Sequence, residues 1–144
     1  MLTGEGDKFF SAGADLNVFA SGDKGIAADM SRVFGEAFEA LTNFRGVSVA
    51  AINGYAIGGG FELALTCDIR IAAEHAQLGL REVTLSLMPG AGGTQRLPRF
   101  IPFGLAMEML LTGNLISSEE AYRIGLVTRV VLKVDLMQLS LELA

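Results

Sequence analysis

Two short apolar runs, residues 47–52 and Ile69–Ala73, constrain this chain most. The first is rich in β-branched residues and bounded by glycines. That is the pattern of a strand buried on both faces. The second reads the same way. Between them lie Gly58-Gly59-Gly60 and then residues 61–67, apolar enough for a buried helix that starts at the glycines. Strand, glycine turn, helix and strand together predict an α/β fold with parallel strands. At 144 residues and 51% hydrophobic side chains, the chain suits one domain with a sizeable core, taken as residues 1–144.

Other segments fill in around that unit. Residues 1–3 read as the tail of a strand before the turn Gly4-Glu5-Gly6-Asp7. Residues 11–15 form a small-residue loop. Apolar positions at Ile26, Met30, Val33, Phe34, Phe38, Leu41 and Phe44 recur in steps of three and four, an amphipathic helix over residues 26–44. Residues 85–93 read mainly as loop, and residues 104–112 as helix. Ser117 and Glu120 form a capping box for a short helix that ends at Gly125. A last strand is expected over residues 127–132 and a helix over 136–144.

Glu62 follows the glycine triplet, and Glu82 precedes Pro89-Gly90-Ala91-Gly92-Gly93. Glycine lets backbone approach a ligand closely. A helix opening at such a turn gathers free N–H groups and the positive end of its dipole. That arrangement favours an oxygen that becomes negative during a reaction, at about 2.7–4 kcal/mol per donor. Two carboxylates beside it invite general acid/base chemistry. Taken singly, each has an ordinary explanation: Glu62 as a helix-start acid, Glu82 as a solvated side chain. Asp68 reads as the residue that ends the helix. Dinucleotide binding is disfavoured, because Leu63 stands where G-x-G-x-x-G/A needs its third small residue.

Composition excludes several classes. The net charge of −5 and scattered basic residues argue against nucleic acid as a partner. Arg96 and Arg99 form a small local pair and are expected to be surface or structural charges. One cysteine, Cys67, permits no intrachain disulfide and is expected in the core. One histidine and one cysteine disfavour a zinc site, and no metal is expected. No apolar run reaches the roughly 20 residues of a membrane span, so no membrane partner is expected. No targeting signal is visible, and the expected compartment is the cytoplasm or the mitochondrial matrix.

The stretch AINGYAIGGGFELA, from Ala51 to Ala64, resembles the signature of the enoyl-CoA hydratase/isomerase family, the crotonases. Three further stretches match in order: FSAGADL from Phe10, PGAGGTQRLPR from Pro89, and Leu111-Thr112-Gly113 through Ala121 to Gly125-Leu126-Val127. The resemblance implies a crotonase-like spiral of ββα units and an acyl-CoA thioester as substrate, with CoA part of the substrate and no separate cofactor. It implies that the N–H groups of Ala12 and Gly59 form an oxyanion hole for the thioester oxygen. The loop Ala12, Gly13, Ala14 and Asp15 would lie along the CoA. Glu62 and Glu82 match the two acids that hydratases use to hold water. Glu62 helps activate it for attack at C3, and Glu82 handles the proton at C2.

Two acids favour hydration of a 2-enoyl-CoA. The alternatives are isomerisation or other enolate chemistry of the family, and a non-catalytic relative that binds CoA or a partner. Where many members have proline, this chain has Arg81. Contact between Arg81 and Glu82 would lower the Glu82 pKa. The proline-free pattern is similar to members acting on methylglutaconyl-CoA, some of which bind RNA through a lysine-rich helix with no counterpart here. Family members have further strands and helices before Met1 and after Ala144, including those that cover the acyl pocket and build a homotrimer or dimer of trimers. The chain is therefore expected to be incomplete at both ends and to need partner chains.

Overall fold

A computed structural model describes residues 1–17 and 24–144. Its strands are β1 (Phe9–Ser11), β2 (Val49–Ile52), β3 (Tyr55–Ile57), β4 (Ile69–Ala73), β5 (Gln77–Gly79), β6 (Ile116–Ser117) and β7 (Arg129–Val131). Its helices are α1 (Lys24–Thr42), α2 (Gly59–Thr66), α3 (Gly93–Phe100), α4 (Phe103–Thr112), α5 (Ser118–Arg123) and α6 (Lys133–Leu143), with a 3-10 turn at Glu82–Leu85.

The strands form two sheets, ordered β1-β3-β5-β6 and β2-β4-β7. From β1 to β5, consecutive strands alternate between them. β2 enters one sheet and β3 the other; after α2, β4 and β5 repeat the step. Both repeats stack parallel and in register, Val49 beside Ile69 and Tyr55 beside Gln77. This is a spiral in which each turn feeds one strand to each sheet. Among the described strands only β6 runs antiparallel, against β5.

The two predicted strands are buried on both faces, as their composition requires. Side chains alternate across a strand, and here the two sides enter different cores. Ala50, Ile52 and Ala72 join Phe61, Leu65, Leu78 and Leu97. Val49, Ala51, Ile71 and Ala73 form a second cluster, closed by Leu136 of α6. Cys67 is buried, and burial pushes its thiol pKa up. Asp68 accepts from Ser48 N at 2.8 Å and Ser48 Oγ at 2.7 Å. These bonds tie the start of β2 to that of β4 and hold the carboxyl below its usual range.

Two polar side chains brace the spiral. Asn53 Nδ2 donates to Gly4 O at 3.1 Å and Gly6 O at 2.9 Å, and its Oδ1 accepts from Gly4 N at 2.9 Å. It thereby shapes the loop that leads into β1. Buried Arg70 donates to Cys67 O at 2.6 Å and Leu126 O at 2.8 Å, with its guanidinium 4.1 Å from the centre of the Phe100 ring. It satisfies a carbonyl at the end of α2 that the helix cannot.

Several boundaries differ from the sequence reading. β2 starts at Val49, because Ser48 is spent on Asp68; α1 ends at Thr42; α6 begins at Lys133. β3, β5, the 3-10 turn and α3 were not anticipated. Among the described residues no helix is long and apolar enough to cross a membrane.

Candidate active site

The glycine triplet opens α2 against the loop that follows β1. Gly58 has φ 56° and donates its N–H to Gly79 O at 2.9 Å, which fixes the turn to β5. Gly13, at φ 87°, sits so close to Gly59 that a Cβ on it would lie 2.8 Å from Gly59 N. The two backbones therefore meet with no side chain between them. Gly59 N is the first amide of α2, one of four with no acceptor inside the helix. Ala12 and Gly59 both line a cavity of about 540 Å³.

Glu62, in the first turn of α2, is 2% exposed. Its Oε1 accepts from Ala91 N at 2.9 Å and Gly93 N at 2.7 Å. Glu62 also lines the cavity. Burial pushes its pKa up, against the opposing pull of the two N–H donors and the Arg96 charge. Neither donor was identified from the sequence. Both come from the turn into α3, where Gly92 adopts φ 99°.

Glu82 opens the 3-10 turn and lines the same cavity. Burial raises its pKa, and the Glu62 charge raises it further. Its Oε2 is buried without a hydrogen-bond partner. Arg81 does not offset this: it forms no ion pair with Glu82 among the described residues, so the expected lowering is not found. Gly58 supplies the room for Glu82, since a Cβ there would lie 3.0 Å from Glu82 Oε1.

Both raised pKa values imply a stability cost with a definite sign. Between the ordinary value of 4.5 and the raised native value, the folded state holds more protons than the unfolded state. Stability therefore falls as pH rises through that window and stays lower at neutral pH. Glu82→Gln removes the charge and gives the buried position a neutral amide. It is expected to raise stability at pH 7 by about 1 kcal/mol, the low end for an unsatisfied buried group because Glu82 is only half-buried. That corresponds to roughly 2–4 °C in Tm. The gain should shrink toward pH 4.5 in calorimetric melts; a gain independent of pH would rule out the charge as its source.

Among the loop residues expected to contact substrate, Ala12 and Ala14 line the cavity, as does Leu16. Gly13 contributes close approach. Asp15 turns its carboxylate to Asn17, accepting from N and Nδ2 at 2.9 Å each. Met30 and Phe34 of α1, with Leu85, Leu87 and Met88, give the cavity an apolar wall.

The chain is similar throughout to proteins of one family. The family model described as enoyl-CoA hydratase/isomerase matches residues 1–144. The crotonyl-CoA hydratase of Syntrophomonas wolfei is 44% identical over 141 residues, 95% of this chain and 53% of that protein. The 2,3-dehydroadipyl-CoA hydratase of Escherichia coli is 44% identical over 144 residues, 100% of this chain and 55% of that protein. Among solved structures, Pseudomonas aeruginosa DspI superposes with a TM-score of 0.95 at 57% identity, over 98% of this chain and 58% of that one. An enoyl-CoA hydratase from Bacillus anthracis gives 0.94 at 47% identity, over 98% and 55%. The chain spans about half the length of the curated relatives it matches. The spiral is thus the crotonase fold, and the chain belongs to the enoyl-CoA hydratase/isomerase family.

Proposed function

We propose that this chain carries the catalytic groups of an enoyl-CoA hydratase, which adds water across the double bond of a 2-enoyl-CoA thioester. The observation that carries the reading is that Glu62, Glu82, Ala12 and Gly59 line one cavity. The thioester oxygen is bound by the N–H groups of Ala12 and Gly59, beside the dipole end of α2. Withdrawal of charge toward that oxygen makes C3 electrophilic. Water held between the two carboxylates attacks C3, with Glu62 accepting its proton. Glu82 delivers a proton to C2 as the enolate collapses. The environments suit this division. Glu62 has two N–H donors and the Arg96 charge to stabilise its carboxylate, whereas Glu82 has an unpartnered buried oxygen that favours the protonated acid.

The apolar wall accommodates a hydrocarbon acyl chain, and the Gly13–Gly59 approach leaves space for the thioester. The test is a panel of 2-enoyl- and 3-enoyl-CoA thioesters supplied to the full-length protein, with product identity followed by absorbance and mass. Hydration of 2-enoyl substrates is expected. Conversion of 3-enoyl to 2-enoyl substrate without hydration would select isomerisation instead. CoA binding by calorimetry with no turnover would select a non-catalytic relative.

A further inference from the structure

Arg96 and Arg99 look alike in the sequence, but the fold separates them. Arg99 donates to Gln95 O of its own helix at the surface. Arg96 reaches back: Nη1 donates to Ala91 O at 2.7 Å, and Nη2 to Thr42 Oγ1, at the end of α1, at 3.4 Å. Its guanidinium lies against Gly92, where a Cβ would come 2.2 Å from Nη1. Gly92 O in turn accepts from Arg96 N at 2.8 Å. Arg96 therefore holds this turn at two points, with its side chain on Ala91 O and its backbone N–H on Gly92 O, and the flanking Ala91 and Gly93 supply both amides that meet Glu62 Oε1.

We propose that Arg96 is a positioning residue: it holds the Ala91–Gly93 turn so that two backbone amides aim at Glu62 and fix its carboxylate toward the cavity. The side-chain chemistry suits the task. A guanidinium is planar and always charged, and its fork can bind Ala91 O and Thr42 Oγ1 together. A lysine ammonium is a point charge on a flexible stem. Arg96 forms no ion pair among the described residues, and its charge acts on Glu62. Glu82 shares the cavity and feels the Glu62 charge. The consequence for rate rests on the hydratase reading; the consequence for Glu62 does not.

The test compares wild type with Arg96→Met, Arg96→Gln and Arg96→Lys in the full-length protein. Carbon-13 NMR follows the Glu62 carboxyl through a pH titration, assigned with Glu62→Gln, while proton NMR follows the Ala91 and Gly93 amides. In Arg96→Met the Glu62 midpoint is expected to rise by about one pH unit, and both amide signals should move upfield as their bonds lengthen. Arg96→Gln is the milder neutral form and is read in the same way should the methionine form fail to fold. Arg96→Lys keeps the charge without the fork and should recover part of the shift. With hydration as the reaction, kcat should fall about 10²-fold in the neutral forms, more than KM changes, with the acidic limb of the pH profile moving with Glu62. A folded neutral variant with Glu62 and both amides titrating as in wild type would overturn the proposal. Because the NMR readout needs no substrate, an inactive wild type would count against hydration and not against this role.

Discussion

Glu62→Gln is expected to lower the rate of enoyl-CoA hydration about 10²–10⁴-fold, and Glu82→Gln by a similar factor. The two losses should arise differently. A glutamine at 62 can still present its amide oxygen to Ala91 N and Gly93 N, the bonds that seat Glu62 Oε1 at 2.9 and 2.7 Å. The fold therefore survives. The second carboxylate oxygen becomes an NH2 donor, and position 62 can no longer take the proton from water. At position 82 the glutamine amide cannot give up a proton to C2. Steady-state loss of enoyl-thioester absorbance, measured across pH on both variants, checks this. Unchanged hydration in both would remove the carboxylates from the chemistry. Exchange of the C2 proton with solvent separates the two roles: it should be slowed more by Glu82→Gln than by Glu62→Gln.

The core of the spiral could be read from the sequence because buried parallel strands have a composition of their own. Residues 47–52 and Ile69–Ala73 have no polar alternation, and both became buried strands with sides in different cores, β4 in the middle of its sheet and β2 beside it. β3 and β5 escaped notice because three residues are too few to display a period, and β3 adjoins the glycine triplet. α3 was hidden by Pro98 inside it and by a mean composition too polar for a core helix. The site divides in the same way. Glu62 and Glu82 stood out as acids beside glycines, while the groups that set their behaviour did not. Ala91 and Gly93 act through backbone N–H groups, which every residue but proline carries, so residue type gives no sign of them. Arg96 looked like a surface charge because its partner is a carbonyl five residues back in the chain and its effect is on Glu62, from another helix. Arg81, adjacent to Glu82 in sequence, forms no ion pair with it. Neighbours along a chain need not share a direction.

Gly60→Ala is expected to be far more damaging than Gly59→Ala, a distinction the sequence alone does not make. A Cβ on Gly60 would lie 2.1 Å from Ser11 O and 2.6 Å from Ser11 C, both backbone atoms. A Cβ on Gly59 would find its nearest neighbour at 3.5 Å, an ordinary contact. Gly60 is therefore where α2 rests directly on the end of β1, and the added methyl can be accommodated only by moving one of them. Overpacking of this kind costs about 1–3 kcal/mol, seen as a lower Tm. The displacement also falls on the residues beside the Ala12 and Gly59 amides, where a shift of about 1 Å can cost on the order of 10² in rate. Gly35→Ala and Gly104→Ala are the controls. Both glycines lie in helices, and a Cβ on either meets nothing within 4 Å. There the loss of glycine's backbone freedom in the unfolded chain should dominate, raising stability by about 0.5–1 kcal/mol. Thermal melts of the four variants, with kcat beside them, decide the matter. If Gly60→Ala melts with Gly59→Ala and keeps its rate, the contact between α2 and β1 does not set the spacing of the two amides.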